Sequence, residues 1–295
     1  MTYLQCLNDQ YGLNFTYATL ASYHKYTASS LTVDPNGGKS KQKVGYYDSE
    51  RNVFDEIQEK TGLNGARHPL AFLMEAADDI MYSTVDLEDA LKKRVVTFDF
   101  IFESLRNQLT GRNYSADIER IGKIRQDRRK QGWTHREADQ ITCANLKIWA
   151  VGVMFRACID TFVENYNSIM AGEFDESLIQ KSDAADLQAV LISTAQEHVY
   201  NSQIVTMLEV IGAQVIHGLL DYFVPVVMSN ERSFPTTLDG KRFNLISASL
   251  RDLNRIHGRK LSDNYDQLQL VTDFVCGMTD DYAHSLYRRL EGHEL

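Results

Sequence analysis

Residues 67–93, RHPLAFLMEAADDIMYSTVDLEDALKK, constrain the fold more than any other stretch of the chain. Leu70, Leu73, Met74, Ala77, Ile80, Met81, Leu87 and Leu91 recur at spacings of three and four, which predicts one apolar stripe on an α-helix. At about 100° per residue the opposite side collects Glu75, Asp78, Asp79, Tyr82, Asp86 and Asp89. Asp78, Tyr82 and Asp86 are four apart and form one ridge with about 6 Å of rise between neighbours. A carboxylate, a phenol and a second carboxylate in line can hold a cation and a polar ligand. A solvated acidic face accounts for the same pattern.

The rest of the chain agrees with an all-α, bundle-like protein. Four prolines in 295 residues leave long helical periodicities uninterrupted, and the 43% hydrophobic content suits a sizeable core. A net charge of −9 argues against polyanion binding over the whole surface. Cys6, Cys143, Cys158 and Cys276 are widely spaced, with no Cys-x-x-Cys, which argues against a zinc knuckle or a disulfide framework. The N-terminus carries no secretory pattern, so the expectation is a soluble, cytoplasmic protein with no membrane association. The most apolar run, 204–228, is interrupted by Glu209, Gln214, His217 and Asp221 and reads as a buried bundle helix, with His217 a core histidine.

Residues 1–27 read as helix, loop, helix, with Thr16 as an N-cap. Asp34–Tyr47 is a basic, mobile loop by composition. Its Gly38-Lys39-Ser40 is not a P-loop, because Val33 stands where the leading glycine is needed. A short helix over 49–62 stops at Gly62, and another helix covers 96–109. Residues 110–132 carry seven basic side chains, among them Arg125, Arg128 and Arg129; this is a solvated face or a single-stranded nucleic-acid contact, and residues 112–132 are the expected hinge. Thr134 and Glu137 form a capping box opening a long helix through Val163, with Trp133 before it as a staple. Further helices are expected over 184–199, 202–223 (ending before Pro225), 246–256 and 266–291.

Three segments, MEAADDIMYSTVDLEDA, DFVCGMTDDYAHSLYRRL (273–290) and YGLNFTYATLASYHKYT (11–27), occur in the order found in HD-domain deoxynucleoside triphosphate triphosphohydrolases, and the chain resembles that dGTPase family over nearly its whole length. The resemblance implies cleavage of a dNTP, preferably dGTP, into deoxynucleoside and triphosphate, with Mg²⁺ or Mn²⁺. It implies Asp78 as a metal ligand, Lys25 and Tyr26 as triphosphate contacts, Tyr82 and Asp86 as sugar contacts, and Glu209 as a guanine contact. Arg242 stands near the place of a base-contacting arginine, in a poorly matching segment.

The family's remaining metal ligands are a histidine and a His-Asp pair, and none of the eight histidines here is followed by aspartate. One carboxylate does not hold a catalytic divalent ion, which takes three or more protein ligands. The resemblance therefore implies the C-terminal part of such a protein, with residues 1–111 a remnant of the catalytic lobe and 112–295 a helical phosphohydrolase-associated domain. It also implies little activity without an HD-bearing half, and an oligomer. Two other readings stand beside it: a catalytically dead nucleotide-binding or regulatory subunit, and a nucleic-acid-binding module.

Overall fold

The computed structural model describes residues 13–109, 113–256 and 258–293. Among these the regular structure is helical, with one isolated parallel bridge between Ala28 and Val44. The first expected helix lies outside the described residues. In chain order the α-helices are α1 (Tyr17–Tyr23), α2 (Arg51–Thr61), α3 (Pro69–Lys92), α4 (Phe98–Leu109), α5 (Ser115–Lys130), α6 (His135–Glu164), α7 (Tyr166–Met170), α8 (Leu178–Lys181) and α9 (Ala185–Ala195). They continue with α10 (Gln203–Met228), α11 (Leu238–Phe243), α12 (Ala248–Ile256), α13 (Asn264–Cys276) and α14 (Asp280–Leu290).

The chain divides into two compact units, Thr16–Thr206 and Met207–Leu295. In the first, α3 and α6 form the centre. Pro69 occupies the first turn of α3, where its missing N–H costs nothing, and His68 Nδ1 caps the helix by accepting from Leu70 N–H. The Thr134–Glu137 capping box opens α6 as the sequence predicts. Residues 113–132 are not a hinge: Ile118 and Ile121 of α5 are buried in the same core as Leu105 and Leu109 of α4 and Leu146 of α6.

The buried face of α3 is rotated from the expected one. Leu70, Met74, Ala77 and Met81 are exposed, whereas Ala71, Glu75, Ala76, Ser83, Thr84 and Glu88 are buried. Small side chains face α6 and let the two long helices approach closely. The hydroxyls of Ser83 and Thr84 are satisfied by the Ile80 carbonyl one turn back. Glu75 and Glu88 are buried because cations come to meet them.

The basic loop is pinned, not mobile. Ser40 donates its N–H (3.0 Å) and hydroxyl (2.8 Å) to the Asp175 carboxylate, and Lys39 N–H donates to Asp175 O (3.2 Å). Gly38 is required there, since a Cβ would lie 2.1 Å from Asp175 Oδ2.

The second unit closes on Val215, Leu219, Phe223, Val227, Leu270, Val271 and Phe274. Helix α10 runs through Pro225 to Met228 because burial of Phe223, Val226 and Val227 on both sides of the proline outweighs its one lost hydrogen bond. The predicted helix over 266–291 is two: α13 closes at Gly277, and the Thr279 hydroxyl caps α14 by accepting from Tyr282 N–H. Helix α10 is long and apolar enough to cross a membrane, with a mean hydropathy of 1.6 over its most apolar window. It is not the buried helix that its composition suggests. Only 28% of that window is buried; Ile204, Met207, Leu208, Val210 and Ile211 are exposed, and so is His217.

Candidate functional site

The ridge predicted on α3 exists in the first unit. Asp78 and Tyr82 are exposed, Tyr82 to 50%, and Asp86 is half-buried. Asp86 has a partner the sequence did not suggest: the Tyr200 hydroxyl donates to its Oδ2 at 2.5 Å. The Tyr200 ring stacks on Tyr82 with centroids 6.0 Å apart and planes inclined by 24°. Burial, with hydrogen bonds to Asp86 and Tyr82, raises the Tyr200 pKa, so the phenol stays a donor. Tyr200 ends a π-helical turn, Gln196–Tyr200, that extends α9. Such a turn re-aims a side chain at the end of a helix, and no composition signal announces it. The arrangement leaves Asp86 Oδ1 and the face of Tyr82 for a ligand with hydroxyls and an apolar edge.

Lys25, just beyond α1, reaches the same helix. Its Nζ lies 3.4 Å from Glu75 Oε1 and 3.6 Å from Asp79 Oδ1. Burial works against its charge, but the two carboxylates outweigh it and raise the Lys25 pKa. Behind Lys25 the charges continue inward. Arg67 Nη1 donates to Glu75 Oε2 at 2.5 Å, its Nη2 to Glu176 O at 2.9 Å, and its Nε stands 3.4 Å from Asp175 Oδ1. Arg67 and Glu75 side chains are each 1% exposed, and the guanidinium stacks on Phe72. Two ammonium groups approach Tyr26, with Lys25 Nζ 5.9 Å and Lys43 Nζ 5.8 Å from its ring centroid. Asp78, Tyr82, Asp86, Lys25 and Tyr26 thus belong to one unit around one helix. A cleft of about 910 Å³ in the same unit is lined by Arg67, His68, Phe162, Tyr166 and Asp175.

Glu209 belongs to the second unit and is exposed on α10. Arg242 is paired with Asp239 (3.5 Å) and lies over the Tyr222 ring. Among the described residues no group of three His, Cys, Asp or Glu comes together to hold a metal ion. Asp78 alone does not fit a divalent ion, and Asp79 beside it is engaged by Lys25. The basic residues of α5 face carboxylates: Arg125 bonds Asp99 and Asp139, Arg129 bonds Asp139 at 3.2 Å, and Arg120 bonds Asp117 at 2.8 Å. Burial pushes the Cys143 thiol up to about 12 and Cys158 to about 11, which removes both as nucleophiles near neutral pH.

Residues 178–289 match the phosphohydrolase-associated domain. Over 295 residues the chain is 36% identical to the deoxyguanosinetriphosphate triphosphohydrolase-like proteins of Listeria monocytogenes and Listeria innocua, covering 98% of this chain and 62% of theirs. It is 28% identical over 309 residues to the deoxyguanosinetriphosphate triphosphohydrolase of Yersinia pestis, covering 96% of this chain and 61% of that protein. The chain is similar to deoxyguanosinetriphosphate triphosphohydrolases and spans about three-fifths of the length of the curated relatives it matches.

Proposed function

We propose that this chain binds a deoxynucleoside triphosphate, with dGTP preferred, along the Asp78–Tyr82–Asp86 ridge, as part of a cytoplasmic triphosphohydrolase. The observation that carries the reading is the Tyr82–Tyr200–Asp86 arrangement, which presents a carboxylate and an aromatic face side by side. Asp86 would accept the sugar 3′-hydroxyl while Tyr82 packs against the ring and disfavours a 2′-hydroxyl. Lys25 and Tyr26 would contact the triphosphate. Asp78 would supply one ligand to a Mg²⁺ or Mn²⁺ ion whose other ligands come from a His/Asp-bearing segment that this chain does not contain.

The surface around Asp78 supports such a partner. Met74 and Met81 on α3, and Phe155, Ile159 and Val163 on α6, are exposed apolar side chains. The bare face of α10 supports assembly with further copies in the same way. The test measures triphosphate release from dGTP with Mn²⁺, first with this chain alone and then mixed with a segment carrying the His and His-Asp ligands. Activity that appears only on mixing is the expected result. Full activity of the chain alone, or none in the mixture, defeats the division of labour. Binding of dGTP with no turnover in either case would instead favour a regulatory nucleotide-binding subunit.

A further inference from the structure

The loop with the rejected P-loop motif lies against the segment that carries Lys25 and Tyr26. Thr27 N–H donates to Ser40 O at 2.8 Å, Gly45 N–H donates to Ala28 O at 2.8 Å, and Ala28 bridges Val44. A Cβ at Gly45 would lie 1.9 Å from Tyr26 O, so only glycine permits this approach. The two backbones therefore run side by side from Lys25 to Ala28 and from Lys39 to Gly45. Lys43 and Lys25 both approach the Tyr26 ring, at 5.8 and 5.9 Å from its centroid.

Charge explains why these extra cations matter. Lys25 and Arg67 face three carboxylates, Glu75, Asp79 and Asp175, so Lys25 by itself presents no net positive field to a polyanion. Lys39 and Lys43 add two positive charges without entering the buried relay. Among the described residues neither makes an ion pair within 4.0 Å of its own, unlike Arg120, Arg125 and Arg129 of α5. We propose that residues 38–43 form a second wall of the triphosphate subsite, with Lys39 and Lys43 as phosphate-binding residues on a loop that the Ser40–Asp175 hydrogen bonds hold in register. The inference rests on the nucleotide-site reading above and assigns it residues that the family resemblance did not.

The experiment measures equilibrium binding of inorganic tripolyphosphate and of deoxyguanosine to the wild-type chain and to the double variant K39Q/K43Q. Tripolyphosphate affinity falls at least about tenfold in the double variant and its salt dependence becomes shallower, while deoxyguanosine binding and thermal stability are unchanged. K39R/K43R retains binding. G38A, which removes no charge but forces the loop off Asp175, weakens tripolyphosphate in the same direction. A wild-type chain that binds tripolyphosphate, with the double variant unchanged, overturns the assignment of Lys39 and Lys43 alone. An equal loss of deoxyguanosine binding also overturns it, because the loop would then be structural. A wild-type chain that binds neither tripolyphosphate nor dGTP overturns the site reading and this inference with it.

Discussion

Two charge clusters in the first unit use the same residue types to different ends. On α5, Arg125 and Arg129 meet Asp99 and Asp139, and Arg125 also covers the Phe98 ring. That cluster ties α5 to α4 and α6 and leaves its arginines little capacity for a ligand. Beside α3, Arg67, Glu75 and Lys25 form a relay that starts in the core and ends at a quarter-exposed ammonium next to the exposed Asp78. The first cluster is complete as it stands. The second is closed at its buried end and open at its outer end. A high density of basic residues is thus a poor guide to ligand binding here, and the geometry of the carboxylates around them is a better one.

The comparison can be broken most severely at Arg67. R67M leaves Glu75 buried without its partner and is expected to destabilise the chain by about 3–5 kcal/mol in urea unfolding. A loss below about 1 kcal/mol would show that the relay is not a structural element. Next comes the effect of pH on the Glu88 pair. Burial opposes its charge, but Lys147 and Lys92 outweigh that and hold the Glu88 pKa below the ordinary 4.5. Its stabilising contribution is therefore complete above about pH 4.5 and is lost as pH falls through the lower folded value; E88Q should flatten the stability curve between about pH 5 and pH 3.

Y200F removes one hydrogen bond to a charged acceptor while keeping the stacked ring. It should cost about 1 kcal/mol of stability and reduce discrimination between dGTP and 2′,3′-dideoxyguanosine triphosphate. D99N on the α5 side, where the carboxylate is 66% exposed, should cost about 1 kcal/mol or less and leave nucleotide binding untouched. D78N should change stability least, within about 0.5 kcal/mol, since the side chain is exposed. Its effect should appear only as lost Mn²⁺ dependence of the assembled enzyme.

Much of this was legible in the sequence where the signal is local. The span of α3, the Thr134–Glu137 box and the Thr16 cap each depend on residues within one turn of each other. The rotation of α3 was not, because a count of apolar residues cannot register that Glu75 is buried by an arginine eight positions earlier. The pinned loop escaped for the same reason: Ser40 meets Asp175 across 135 residues, and glycine content alone reads as mobility. Tyr200 lies 114 residues from Asp86 and is aimed by a π turn, so no spacing rule links the two. The exposed face of α10 shows the limit of hydrophobicity itself, which identifies a helix but not what covers it.

The account depends on Asp86 reading a sugar hydroxyl from its place on α3. Competitive binding of dGTP and 2′,3′-dideoxyguanosine triphosphate, which lacks the 3′-hydroxyl, to the wild-type chain and to D86A tests this directly. The account predicts that the wild type prefers dGTP by about tenfold or more and that D86A loses the preference. Equal affinity for the two nucleotides in the wild type, or an unchanged preference in D86A, would contradict it.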